Sequence, residues 1–193
     1  MPPSYDIFED PYCYKGSSVL KNKRQLTDAD ALQRFENNMV SLRFDEAIPS
    51  GNFDPAHYRA IHHHLFQDVY DWAGEYRSIR IAKHQSMFCY PEHIASQMDM
   101  LIPRLLSADF QPGCARESLI AAAADFLADL NAIHPFREGN GRTQLTFLFL
   151  LGEREGQRFD MPRIRPQALL AAMVESFSGR VAALRDELEG ICG

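Results

Sequence analysis

Residues 134–142 read His134-Pro135-Phe136-Arg137-Glu138-Gly139-Asn140-Gly141-Arg142, and they separate two strongly apolar stretches, residues 117–130 (ESLIAAAADFLADL) and 143–151 (TQLTFLFLL). The first stretch is apolar around most of a helical circumference, the pattern of a helix in the middle of a core. The second is the same in kind. A polar, glycine-bearing loop between two helices that both belong inside is unusual, and it points to chemistry rather than to a simple turn.

The loop holds the parts of a phosphoryl- or nucleotidyl-transfer site. Gly139 and Gly141 let the backbone turn and approach a ligand closely. With Asn140 between them, their amides open a helix, and successive N–H groups at a helix N-terminus make an anion-binding nest. Arg142 in the first turn can donate to a second phosphate through two parallel bonds. Glu138 is a hard oxygen ligand suited to magnesium shared with phosphates. His134, whose ordinary pKa is roughly 6.5, suits a general base near neutrality. Singly, each of these residues reads as an ordinary loop residue; contiguous between two core helices, they read as one site.

Outward from the loop the chain reads as helices. Thr27 with Asp30 marks a helix start, followed by an apolar face of Leu32, Phe35, Met39 and Leu42. Asp54 caps the next helix with Pro55 at its first position, and Ile61, Leu65, Val69 and Trp72 run along it until Gly74. Residues 76–81 (YRSIRI) alternate apolar and polar, which predicts a short strand; a second near Met87 and Phe88 closes a hairpin. Pro91 opens another helix, and Pro166 opens the last, whose stripe runs from Leu169 to Leu188. The expected fold is mostly α, a bundle of about six to eight helices with a small β-hairpin flap. Residues 1–25 form an irregular arm packing on the main domain, which spans residues 26–193. His62-His63-His64 cannot share one metal ion, because neighbours on a helix point in different directions; they are expected at the surface and the core edge.

The loop resembles the signature of the Fic family, H-P-F-x-[DE]-G-N-G-R, with every fixed position matched. Residues 61–88 (IHHHLFQDVYDWAGEYRSIRIAKHQSMF) are similar to the helix, turn and flap before that motif in bacterial Fic toxins, and the arm YCYKGSSVLKNK resembles the N-terminal segment of the same subgroup. The resemblance covers roughly residues 12–190. It implies a protein adenylyltransferase that moves AMP from ATP to a Tyr, Ser or Thr hydroxyl. In it His134 is the base, Phe136 holds the loop, and Glu138 holds Mg2+. Gly139, Asn140 and Gly141 form the anion hole, and Arg142 grips the far phosphates. The flap, with Ile79, Ile81, Lys83, Met87 and Phe88, docks the target segment. The subgroup further implies a toxin acting on type II topoisomerases (DNA gyrase or topoisomerase IV) and paired with a small antitoxin.

Many relatives are restrained by [ST]-x-x-x-E-[GN]; the nearest match here is residues 185–190, with Arg185 at the hydroxyl position and Glu189 as the acid, and none is found near the N-terminus. Inhibition is therefore expected from a separate antitoxin. The alternatives are transfer of UMP, phosphocholine or phosphate on the same fold, and an idle peptide-binding module. Intact His134 and Glu138 count against the idle module.

Bulk properties narrow the setting. The 193 residues suffice for one main core, and a net charge of −6 argues against nucleic-acid or anionic-membrane binding. The four cysteines lack metal-ligand or redox spacing, and the N-terminus lacks the basic and apolar segments of a signal peptide, so a cytoplasmic setting is expected.

Overall fold

Asp28, rather than Thr27, starts the first helix. In the computed structural model, which describes residues 10–83, 86–107 and 114–192, its carboxylate accepts the Ala31 N–H at 2.8 Å and so caps α1 (Ala29–Phe44). The buried positions of α1 are Leu32, Glu36 and Val40, spaced by four. That register is rotated from the expected stripe and carries an acid into the interior.

Asp54 caps α2 (Pro55–Phe66) as expected, accepting the His57 N–H at 2.7 Å. The helix stops at Phe66, well short of Gly74. The chain then turns, and Gly74 takes φ +83°, where a Cβ would stand 2.9 Å from that of His63. α3 (Pro91–Ser107), α4 (Arg116–Ile133) and α5 (Asn140–Arg154) follow. α4 packs on α3, α5, α6 (Pro166–Ser176) and α7 (Ala182–Ile191), which makes it the central helix that its composition predicts. The single last helix expected from Pro166 to Leu188 is two helices, because Gly179 at φ +78° reverses the chain and lets α7 fold back on α6.

The fold class is corrected to an all-α bundle, with seven α-helices among the described residues. The strand expected over residues 76–81 does not form, and the β-hairpin flap is withdrawn. What remains is an extended pairing of two residues a side, Ala82 with Met87 and Lys83 with Ser86. The cause is Arg77, a side chain that alternation assigned to a strand's polar face. It is buried instead, and its guanidinium donates to the carbonyls of Ile79, Cys89, Ile133 and His134. Carbonyls that a longer ladder would use are held by one side chain. Ile81 and Phe88 are also buried, so they present nothing to a target, whereas Met87 is exposed. Gln85 and the side chain of Lys83 lie outside the described residues.

Residues 10–28 lie against this bundle: the Tyr12 ring meets Trp72 edge-on at 5.5 Å, and the Lys23 N–H donates to the Val69 carbonyl at 2.9 Å. Among the described residues no helix is long and apolar enough to cross a membrane.

Candidate active site

The loop between α4 and α5 is built on a set of stacked rings. Phe136 is fully buried, with His62 stacked on one neighbouring side at 3.7 Å and Tyr58 parallel to it at 5.5 Å. Asn140 closes the loop around that ring. Its side-chain oxygen accepts the Phe136 N–H at 2.9 Å, and its amide donates to the Phe136 carbonyl at 2.8 Å. The Asn140 side chain is therefore committed to shaping the loop; only its backbone can face an anion.

His62 is the strut beneath. The Gly74 N–H donates to its Nδ1 at 2.8 Å, so Nε2 carries the proton and donates to the Glu138 carbonyl at 3.0 Å. Burial drives its pKa down to about 3, which keeps the ring neutral. The histidine triplet thus splits: His62 sits wholly inside and His63 is exposed.

His134 ends α4 in the left-handed region, at φ +49°, and its N–H donates to Leu130 at 2.9 Å. Its ring stacks on Phe88 at 4.1 Å, and its carbonyl receives Arg77. Gly139 begins α5 at φ +82°, and a Cβ there would lie 2.4 Å from the Phe66 ring, so no other residue fits. Gly141 is different: a Cβ there would meet no atom within 4 Å. The protein's own packing does not require glycine at 141, and its bare backbone borders open space beside the first turn of α5.

Arg142 follows in the same first turn of α5. Its guanidinium lies 4.6 Å from the Phe66 ring centroid and donates to Glu36 at 2.6 Å, with Glu138 at 3.6 Å. Burial, and then the charge of Glu36, raise the pKa of the Glu138 carboxyl; the Gly139 N–H, which it accepts at 2.9 Å, works against that shift. His134, at the end of α4, and Glu138, Gly139, Gly141 and Arg142, at the start of α5, thus stand in one short loop and helix turn. Of the docking residues, Ile81 is buried, Met87 is exposed, and Phe88 stacks on the His134 ring as a buried support.

The Fic/DOC family matches residues 52–151, just over half of the chain. The chain belongs to the Fic/DOC family. A probable protein adenylyltransferase of Sinorhizobium fredii, y4lH, is 46% identical over 95% of this chain and 96% of its own length. The protein adenylyltransferase VbhT of Bartonella schoenbuchensis is 34% identical over 91% of this chain, which corresponds to 37% of that longer protein. Among solved structures, BepC of Bartonella tribocorum with bound AMPPNP superposes with a TM-score of 0.84 at 28% identity, covering 94% of this chain and 96% of that one.

Supports of the Fic loop that the sequence reading does not name lie outside its motif, among them Glu36 and Tyr70 behind Arg142, His62 below the loop, and Asp10, which pairs with Arg137. For Glu36 a sequence signal existed, an acid on the apolar 32–36–40 stripe of α1. Glu189, the candidate inhibitory acid, lies elsewhere. Its carbonyl receives Arg116 at the N-terminus of α4, and His134 caps the far end of that helix, about 27 Å away along 18 residues.

Proposed function

We propose a division of labour within this site for the transfer of AMP from ATP to protein, the reaction of this Fic-fold adenylyltransferase. The observation that carries it is the opening of α5. A helix N-terminus, a glycine with open space where its side chain would stand, and a partly exposed arginine follow one another in the first turn of α5, within the motif that His134 opens. Backbone N–H groups at such a terminus favour anions, and Arg142 adds a planar fork of donors.

In this reading the Gly141 backbone and Arg142 hold the phosphates. His134 takes the proton of a target Tyr, Ser or Thr hydroxyl as its oxygen attacks the α-phosphorus. The bond from that phosphorus to the bridging oxygen breaks, and pyrophosphate leaves. Preorganised donors stabilise the charge that grows on the phosphate oxygens, without reorganising during the reaction. Phe88 and Arg77 act through His134 by fixing its ring and its carbonyl.

The residues fit a magnesium ion. Among the described residues no three His, Cys, Asp or Glu side chains form a protein cage, but magnesium beside phosphates needs only one or two carboxylates, with phosphate oxygens and water completing its shell. Glu138 would be that carboxylate, and the ion when bound would neutralise phosphate charge. The finer setting, a cytoplasmic toxin restrained by a small antitoxin and acting on type II topoisomerases, is supported by the sequence resemblance of residues 12–190.

The test is donor labelling in a bacterial extract with the purified protein and magnesium. Label from α-labelled ATP is expected on discrete proteins, with none from γ-labelled ATP. Label arriving from γ-labelled ATP, UTP or CDP-choline instead would replace AMP by phosphate, UMP or phosphocholine.

A further inference from the structure

Arg142 does not stand alone behind the phosphate volume. Glu36 reaches it from the buried face of α1, 106 residues away in sequence, with one carboxylate oxygen 2.6 Å from a guanidinium nitrogen. The other oxygen receives the Tyr70 hydroxyl. Burial and the neighbouring carboxylate both raise the Tyr70 pKa, so the phenol keeps its proton and donates. The Glu36 side chain is 5% exposed, whereas that of Arg142 is 29% exposed. We propose that Glu36, oriented by Tyr70, is a positioning residue for nucleotide binding: it anchors one edge of the Arg142 guanidinium from inside the protein, so that the remaining donors face the phosphates. The proposal rests on the reading of Arg142 as the phosphate-gripping residue.

Two physical arguments separate this role from a lock that blocks the arginine. A carboxylate that competes with phosphate has to leave when phosphate arrives, and departure is easy only for an exposed side chain. Glu36 has nowhere to go: both of its oxygens are bonded inside the core, and a buried carboxylate stripped of its cation is strongly disfavoured. Arginine also carries five N–H donors in a rigid fork. One edge can be held by Glu36 and the flat face by Phe66, with an outer edge still free to meet an anion. Holding a long side chain in its bound rotamer removes part of the ordering cost of binding.

The charge arithmetic adds a specificity element. Glu36 and Glu138 both lie near Arg142, so the cluster carries a formal −1 when both carboxylates are ionised. A magnesium-bound polyphosphate brings its own divalent cation to Glu138 and leaves Arg142 for the phosphate oxygens. A ligand with one phosphate gains little from an arginine placed for the far phosphates.

The experiment titrates MgATP and AMP into the wild-type protein and into Glu36→Gln and Tyr70→Phe variants by calorimetry or NMR, with melting curves in parallel. Glu36→Gln keeps the shape but removes the charge and replaces one acceptor oxygen by an NH2 donor. It is expected to weaken MgATP binding at least tenfold while leaving AMP within twofold, and Tyr70→Phe is expected to weaken MgATP about threefold, in the same direction. Equal weakening of both ligands would reduce Glu36 to a general structural role and overturn the proposal. Unchanged or tighter MgATP binding would overturn it too, the latter making Glu36 a lock. A wild-type protein that binds no MgATP would instead sink the nucleotide site, and the proposal with it. Should Glu36→Gln fail to fold, the MgATP-to-AMP ratio of Tyr70→Phe decides.

Discussion

Two arginines five positions apart in one loop have opposite surroundings. Arg137 and Asp10 form an ion pair whose side chains are 7% and 10% exposed. Arg142 and Glu36 form another, but there the carboxylate is sealed at 5% while the arginine is 29% open. Same chemistry, same loop; the difference is which member faces solvent. A pair closed on both sides ties the N-terminal segment to the loop. A pair closed on one side fixes a cation and presents it. The distinction extends to the rest of the loop. The underside, with Phe136, Asn140 and His62, is buried and fully engaged. His134, Glu138, Gly141 and Arg142, by contrast, are partly or wholly exposed.

Removing the carboxylate of the closed pair should give the largest stability effect. Asp10→Ala removes the carboxylate paired with the buried Arg137, at a cost of about 3 kcal/mol, seen as a melting temperature lower by about 6–12 °C. An unchanged melting temperature would erase the contrast between the two pairs.

Acid should loosen the underside next. His62 is neutral in the fold, with its pKa lowered to about 3, whereas in the unfolded chain it takes a proton near the ordinary value of about 6.5. A base with a depressed folded pKa gives stability that is present above the unfolded pKa and is lost as pH falls below it. Between pH 6.5 and pH 5 this amounts to about 2 kcal/mol. Urea titrations across that range should show the loss, and His62→Gln, whatever its stability at neutral pH, should flatten the slope. An identical slope in the variant would remove His62 from the account.

The smallest effect has the opposite sign. Burial and Glu36 raise the Glu138 pKa, so ionising this carboxyl opposes folding above its unfolded pKa. Glu138→Gln should therefore raise the melting temperature, while transfer activity collapses. A lower melting temperature with activity intact would move Glu138 to the structural side of the loop.

Much of this site was legible in the sequence because a contiguous motif carries it. The glycines, the arginine and the histidine are adjacent in the chain, and the start of α5 follows from them. The Asp54-Pro55 start of α2 was equally local. What was missed comes from distant parts of the chain. Glu36 reads as a surface acid until the register of α1 is known, and a rotation of about one residue puts it inside. The triple histidine reads as surface and core edge, yet one member of any such run on a helix can point wholly inward, as His62 does. Arg77 fits the alternation of a strand, and only its burial reveals that it binds the carbonyls a strand would need. The end of the chain was read as one helix because its apolar spacing continues across Gly179, and spacing alone does not register a reversal.

The central claim is that the open arginine serves the ligand while the closed one serves the fold. The most direct test is Arg142→Ala, assayed beside the wild type for label transfer from α-labelled ATP and for thermal melting. The account predicts transfer reduced by at least about a hundredfold, the range for losing one preorganised transition-state donor, with the protein still folded at the assay temperature. Undiminished transfer from a folded Arg142→Ala protein would contradict it.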